Sequence, residues 1–453
     1  MRGTPFVLGA VGLLVLSTRS AGAQEAPLAP TVELEVERIA AAGSLWPGFD
    51  PLAVPLAIYD GERTWLFRHP APPAGFVPVS GEVGTFARPG RFEAVTANTS
   101  AEIGGVMTAT LMVNGPRGES PPHELAAVAI HEAFHVYQRT HHPGWQGNEG
   151  DLLVYPVTNP DLLALRRLES EALRRALANR EDAGAACWAR VAMVQRQARF
   201  TALDSAFVEY ERLTELNEGL AAYLQLRAAG STQGDIPADG FLPEAVRQRA
   251  YHTGPAMALL LDRLSPGWQA ALEQHDGQSL DGLLETALRS TPPSAPCDFT
   301  PVQVGAARRD ARIAAAGVTS DWGKRQRAFE TKEGWRVLIQ SAKGKPLWPQ
   351  GFDPLNVDRV DGALIHTRYL KLGNDAGQMT ALEEPGAEVE ARTEGVGPHP
   401  MFNGVSWVEV VLSIKPAVQR PEGRLVIYGP GFSADFSNAT LIESGRQLLV
   451  QLN

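Results

Sequence analysis

Residues 121–139, PPHELAAVAIHEAFHVYQR, are the stretch from which the rest of the chain is read. Pro121 and Pro122 are tolerated in a first helical turn, where their missing N–H groups have no partner to lose. Leu125, Val128, Phe134 and Tyr137 then form an apolar stripe, and the spacing predicts a helix from His123 to about Arg139. Residues four apart stand above one another on a helix. His131 and His135 therefore aim two imidazoles at one point, and neutral imidazole suits Zn²⁺. Glu132 leaves the same helix beside that point, where a carboxylate can take a proton from an attacking water and pass it to a leaving amine. Two packed or surface histidines are the plain alternative. An export signal, a preceding strand and the helical setting favour the metal.

Before this stretch, residues 24–50 begin as a Pro-containing leader, and short apolar runs at 52–59, 64–68 and 92–97 read as strands. Val106 to Val113 is the best strand of this half, broken by Asn114, Gly115 and Pro116. Beyond the motif the pattern predicts helices near 160–178, 182–206, 207–228 and 244–264, and a further interrupted one over 268–289. Residues 290–300 read as a linker, followed by an Ala- and Arg-rich helix near 302–317. After Lys332 the period shortens, and Trp335 to Ile339, Leu364 to Leu370, Val405 to Ile414, Arg424 to Ile427 and Gln447 to Gln451 read as strands between Gly- and Pro-rich turns. The expected fold class is α+β, with a signal segment at 1–23, a β-rich part at 24–119, a helical region at 120–330 and a β-rich region at 331–453, either a small sandwich or a sheet packed on the rest.

Two protein ligands leave a catalytic zinc site incomplete. Leu216-Asn217-Glu218-Gly219-Leu220-Ala221-Ala222-Tyr223 resembles the second motif of gluzincin peptidases, in particular their aminopeptidase-like branch. The resemblance implies a zincin-like core with Glu218 as third ligand. It also implies an edge strand that holds substrate extended, a place that Val106 to Val113 fits. The chain departs from the family in its spacing, since the 82 residues from 136 to 217 separate the motifs, and in lacking G-x-M-E-N, where Ile103 to Met107 reads IGGVM. Other ligands stay open. His141 has metzincin spacing, but Gln138 stands where that family needs Gly. Glu149 lies in a second N-E-G segment, and Glu169 and Glu171 lie on a helix.

Tyr251 and His252 are candidate donors to an oxyanion on the attacked carbonyl; a helix-start aromatic and an exposed His are the plain reading. Arg196 and Arg199 pair with core acids or hold a substrate carboxylate. A net charge of −10 with no Lys/Arg cluster argues against a nucleic-acid surface. Arg2, the apolar run Phe6 to Leu16 and the small residues Ala21, Gly22 and Ala23 read as an export signal, too short for a stable membrane anchor. The protein is expected in the periplasm or outside the cell, where Cys187 and Cys297 either pair or stay as buried thiols. Together these readings predict zinc-dependent hydrolysis of a peptide or protein substrate, with one catalytic ion. The competing classes are a zinc-binding module without turnover and a cell-envelope structural or binding protein.

Overall fold

The computed structural model describes residues 27–113, 120–291, 296–354, 356–384 and 388–453. The expected signal segment, the break at 114–116 and part of the 290–300 linker lie outside them. The leader region carries a helix that the sequence reading missed: α1, Leu28–Ala42, buries Ala29, Val32, Val36 and Ile39, a helical spacing. Six strands follow: β1 Leu56–Tyr59, β2 Arg63–Phe67, β3 Val77–Pro78, β4 Thr85–Pro89, β5 Thr99–Ile103 and β6 Val106–Met112. They form one sheet in the order β3-β4-β2-β1-β6-β5, with only the β1–β6 pair parallel. Residues 92–97 turn instead of pairing, with Val95 N–H donating to Phe92 C=O.

Helix α2, Pro122–His141, lies across β5 and β6. Leu56, Ile58, Trp65, Phe67, Ala109 and Leu111 face it and α1 in the main core. The segment before β1 seals α2 with Trp46 and Phe49, whose rings meet Phe134 edge-on at 5.5 and 5.2 Å. The strand at Val106 to Val113 is not the edge expected of it. The edge beside α2 is β5, because β6 is paired on both sides, with β1 and with β5. The two-residue turn Gly104–Gly105, both at positive φ, folds the chain back and adds the outer strand.

The helices are α3 Pro160–Ala178, α4 Asp182–Thr201, α5 Ser205–Thr214, α6 Leu220–Ala228, α7 Val246–Leu264, α8 Gln269–Gln274, α9 Leu280–Ser290 and α10 Pro301–Thr331. The expected helix 207–228 is two helices joined by a π-helical turn, Glu215–Gly219. The expected helix 302–317 runs on to Thr331. Cys187 on α4 pairs with Cys297 ahead of α10. A buried ion network ties α3, α4, α5, α7, α9 and the π turn. Glu169 meets Arg196, Arg199 and Arg249 at 2.8, 2.7 and 2.6 Å; Arg199 also binds Glu211, and Arg196 binds Glu215 and Asp281. Burial opposes ionisation of these carboxyls, yet the arginines hold Asp281 down to about 2 and lower Glu169 and Glu211; at Glu215 burial wins and the pKa is raised.

Two sheets make up the C-terminal region. One contains, edge to edge, Ala439–Ser444, Gln447–Leu452, Trp335–Gln340, Val405–Leu412, Glu390–Gly395, Ala363–His366 and Val357–Val360; the other contains Ala417–Gln419, Leu425–Gly429, Phe432–Phe436, Gly377–Leu382, Tyr369–Asn374 and Trp348–Phe352. Val337, Val408 and Val410 of the first share one buried cluster with Leu372, Ile427 and Phe436 of the second, so the sheets form a sandwich. No helix among the described residues is long and apolar enough to cross a membrane.

Candidate metal centre

Helix α2 supplies two of the three converging donors, and the π turn supplies the third. The ring nitrogens Nε2 of His131 and His135 stand 3.1 Å apart, and Glu218 Oε2 lies 3.9 and 3.4 Å from them. Among the described residues this is the one group of three His, Cys, Asp or Glu side chains that converge closely enough to hold a metal ion. Donors at roughly 2.0–2.2 Å around a tetrahedral ion stand about 3.3–3.6 Å from one another. The observed spacings bracket that range, so the residues fit a single zinc-like ion. His131, Glu132 and Glu218 are buried and His135 nearly so.

Each ligand is held from behind. Gln138, one turn beyond His135, accepts at Oε1 from His135 Nδ1 at 2.8 Å, which leaves Nε2 with its lone pair toward the cluster. The same amide donates to the carbonyls of Leu216 and Asn217, both at 2.9 Å, tying α2 to the π turn. Glu218 Oε1 accepts from Arg247 Nη2 at 2.6 Å. Burial alone would raise the Glu218 carboxyl, but His135, Arg247 and Tyr251 hold it down to about 2. His135 is raised: burial opposes the charged ring, and Glu218 and Glu132 outweigh burial. The π turn packs backbone to backbone on α7, where a Cβ on Gly219 would stand 2.8 Å from Gly254 Cα.

The other sequence candidates are engaged elsewhere. His141 stacks on Tyr137 at 4.1 Å, Glu149 binds Arg247 and Tyr210, Glu169 sits in the buried ion network and Glu171 binds Arg174 and Arg175. Arg196 and Arg199 are likewise network members. Tyr251 stacks against His131 at 6.0 Å, and its hydroxyl accepts from Arg247 at 3.1 Å. Burial and Glu218 raise its pKa, so the hydroxyl keeps its proton. His252 binds the Asp235 carbonyl at 2.6 Å and tilts against Phe241 instead of joining the cluster. A cavity of about 900 Å³ borders Leu216, His142 and Arg212 but includes none of the three ligands.

Sequence reasoning missed Gln138 as a support and Arg247 altogether. Arg247 is one helical turn before Tyr251, a spacing that places both on one face. The cluster, with Glu132 beside it and its third ligand on a distant helix, matches a metal-hydrolase site of the gluzincin type. Comparison of the whole chain with protein-family models, with curated proteins and with solved structures found no match.

Proposed function

We propose that the protein is an exported zinc metallopeptidase. The observation that carries this reading is the convergence of His131, His135 and Glu218 with Glu132 on the same helix. Zinc bound there would acidify a water and polarise the substrate carbonyl. Glu132 then serves as the proton carrier, taking a proton from the attacking water and delivering it to the leaving amine. Tyr251, whose ring stacks on His131 and whose hydroxyl bonds Glu218, would turn that hydroxyl to the oxygen of the attacked carbonyl.

Strand β5 offers the peptide a place. Ile103 and Val106 flank the two-residue turn and exchange bonds, as do every second pair beyond them. The main-chain groups of Ser100 and Glu102 therefore point away from β6, toward the sheet edge where a peptide would add as a further strand. The signal-like N-terminus and the Cys187–Cys297 pair both support an oxidising compartment.

The test is a peptide-library cleavage assay on the zinc-loaded protein and its Glu132→Gln variant. The variant should keep its zinc and lose at least about 100-fold in rate. Near-normal cleavage by Glu132→Gln would remove the assigned mechanism, and zinc-loaded protein that cleaves no peptide would remove the peptidase reading.

A further inference from the structure

The C-terminal sandwich grips one short turn of the helical region. The 3₁₀ turn Glu149–Val154 lies between α2 and α3. His399 binds the Gly150 carbonyl at 3.0 Å, and Arg359 donates to the carbonyls of Leu152 and Tyr155 at 3.2 and 2.9 Å. The Phe402 ring packs so closely on Gly150 that a Cβ there would stand 2.5 Å from it. Leu153 packs against the core of the sandwich. Polar and apolar contacts thus converge on the short stretch from Gly150 to Tyr155.

The first residue of that turn faces the metal centre. Glu149 Oε1 binds Arg247 Nε at 3.1 Å, and Tyr210 donates to its other oxygen at 3.2 Å. Arg247 in turn binds Glu218 Oε1 at 2.6 Å and the Tyr251 hydroxyl at 3.1 Å. One guanidinium is shared between a carboxylate on the gripped turn and the carboxylate that completes the ligand set. With Glu149 present, the charge of Arg247 is divided and its plane is fixed from two sides. Without it, the guanidinium would keep only Glu218 and Tyr251 as partners and would draw more strongly on the carboxylate that a metal needs.

Resting on the metal-centre reading above, we infer that Glu149 is a positioning residue of the site. The sandwich acts on the metal through it, by holding the turn that sets where Arg247 meets Glu218 and Tyr251. The C-terminal region is then a brace of the catalytic centre and not a separate module joined by a linker.

Co²⁺ loaded into the full-length protein is the probe, read by its visible absorption band and by its rate of loss to excess chelator. Glu149 is 49 % exposed, so Glu149→Gln should leave the fold intact, checked by its thermal melt. It should shift the band and speed cobalt loss by up to about tenfold, the least that losing a direct partner of a metal ligand costs, because Glu149 acts one step further out, through Arg247. Phe402→Ala combined with Arg359→Met, made on the sandwich side, should give the same band shift. Adding Glu149→Gln to that pair should speed loss no further, because all three changes act on one link. An unchanged band and loss rate in Glu149→Gln, or effects that multiply in the combined variant, would overturn the coupling while leaving the metal centre standing. Wild-type protein that takes up no cobalt would overturn the metal centre itself, and the coupling with it.

Discussion

At the residue scale, a single amide shows how the site is held. Gln138 orients His135 through its oxygen and ties down the π turn through its nitrogen. The sequence marks Gln138 only as the residue that breaks the metzincin spacing. Its helical offset from His135 was legible, but its partners come from across the fold. The three ligands and Glu132 are legible because their chemistry is local or motif-borne; Arg247 is not, because its partners come from three segments. His366 is 2 % exposed, 3.3 Å from the Thr393 hydroxyl, and burial pulls its pKa down to about 4. In the unfolded chain it titrates near its usual value of about 6.5, so between these values the unfolded state binds the extra proton. Stability is therefore full above about 6.5 and falls by about 3 kcal/mol as pH drops toward 4. His366→Met should flatten this slope in thermal melts of the sandwich at pH 7 and 4.5; an unchanged slope would count against the burial argument.

At the element scale, the π turn decides the geometry. A regular helix through 207–228 is what the apolar spacing predicts, and the turn at Glu215–Gly219 is a tertiary product. Gly219 and Gly254 let two backbones touch, while Thr253 donates to Glu215 and Arg196 binds it. Gly254→Ala would place its Cβ 2.5 Å from Gly219 Cα, where no side chain can swing aside. It should cost about 1–3 kcal/mol in a denaturant titration and weaken zinc retention. Gly317→Ala on α10, where a Cβ meets nothing within 4 Å, should instead stabilise by about 0.5–1 kcal/mol. Equal effects from the two substitutions would contradict the contact. The same scale shows where local sequence stops deciding structure. LWPGFDPLAV at 45–54 and LWPQGFDPLNV at 347–357 are nearly one phrase. The first is an irregular turn with Trp46 1 % exposed against α2; the second forms the strand Trp348–Phe352 with its Trp 48 % exposed. Packing partners, not propensity, separate them.

At the scale of the whole molecule, the long gap between the two motifs is taken up by α3, α4 and α5, pinned by the buried arginines, before the chain returns with Glu218. The class α+β and the β-rich C-terminus were legible from the change of hydrophobic period at Lys332. The position of the sheet edge was not, because β5 (TSAEI) has no apolar alternation to announce it and exists through its pairing with β6. The grip of the sandwich on the turn at Glu149–Val154 joins residues some 200 apart in the chain, beyond any local reading. These distant segments assemble one metal site, which zinc anomalous diffraction from crystals of the zinc-loaded protein would reveal. One peak is expected, within roughly 2.0–2.2 Å of His131 Nε2, His135 Nε2 and a carboxylate oxygen of Glu218. No zinc at that point, or zinc held there with Glu218 remote and His141 or Glu149 in its place, would contradict it.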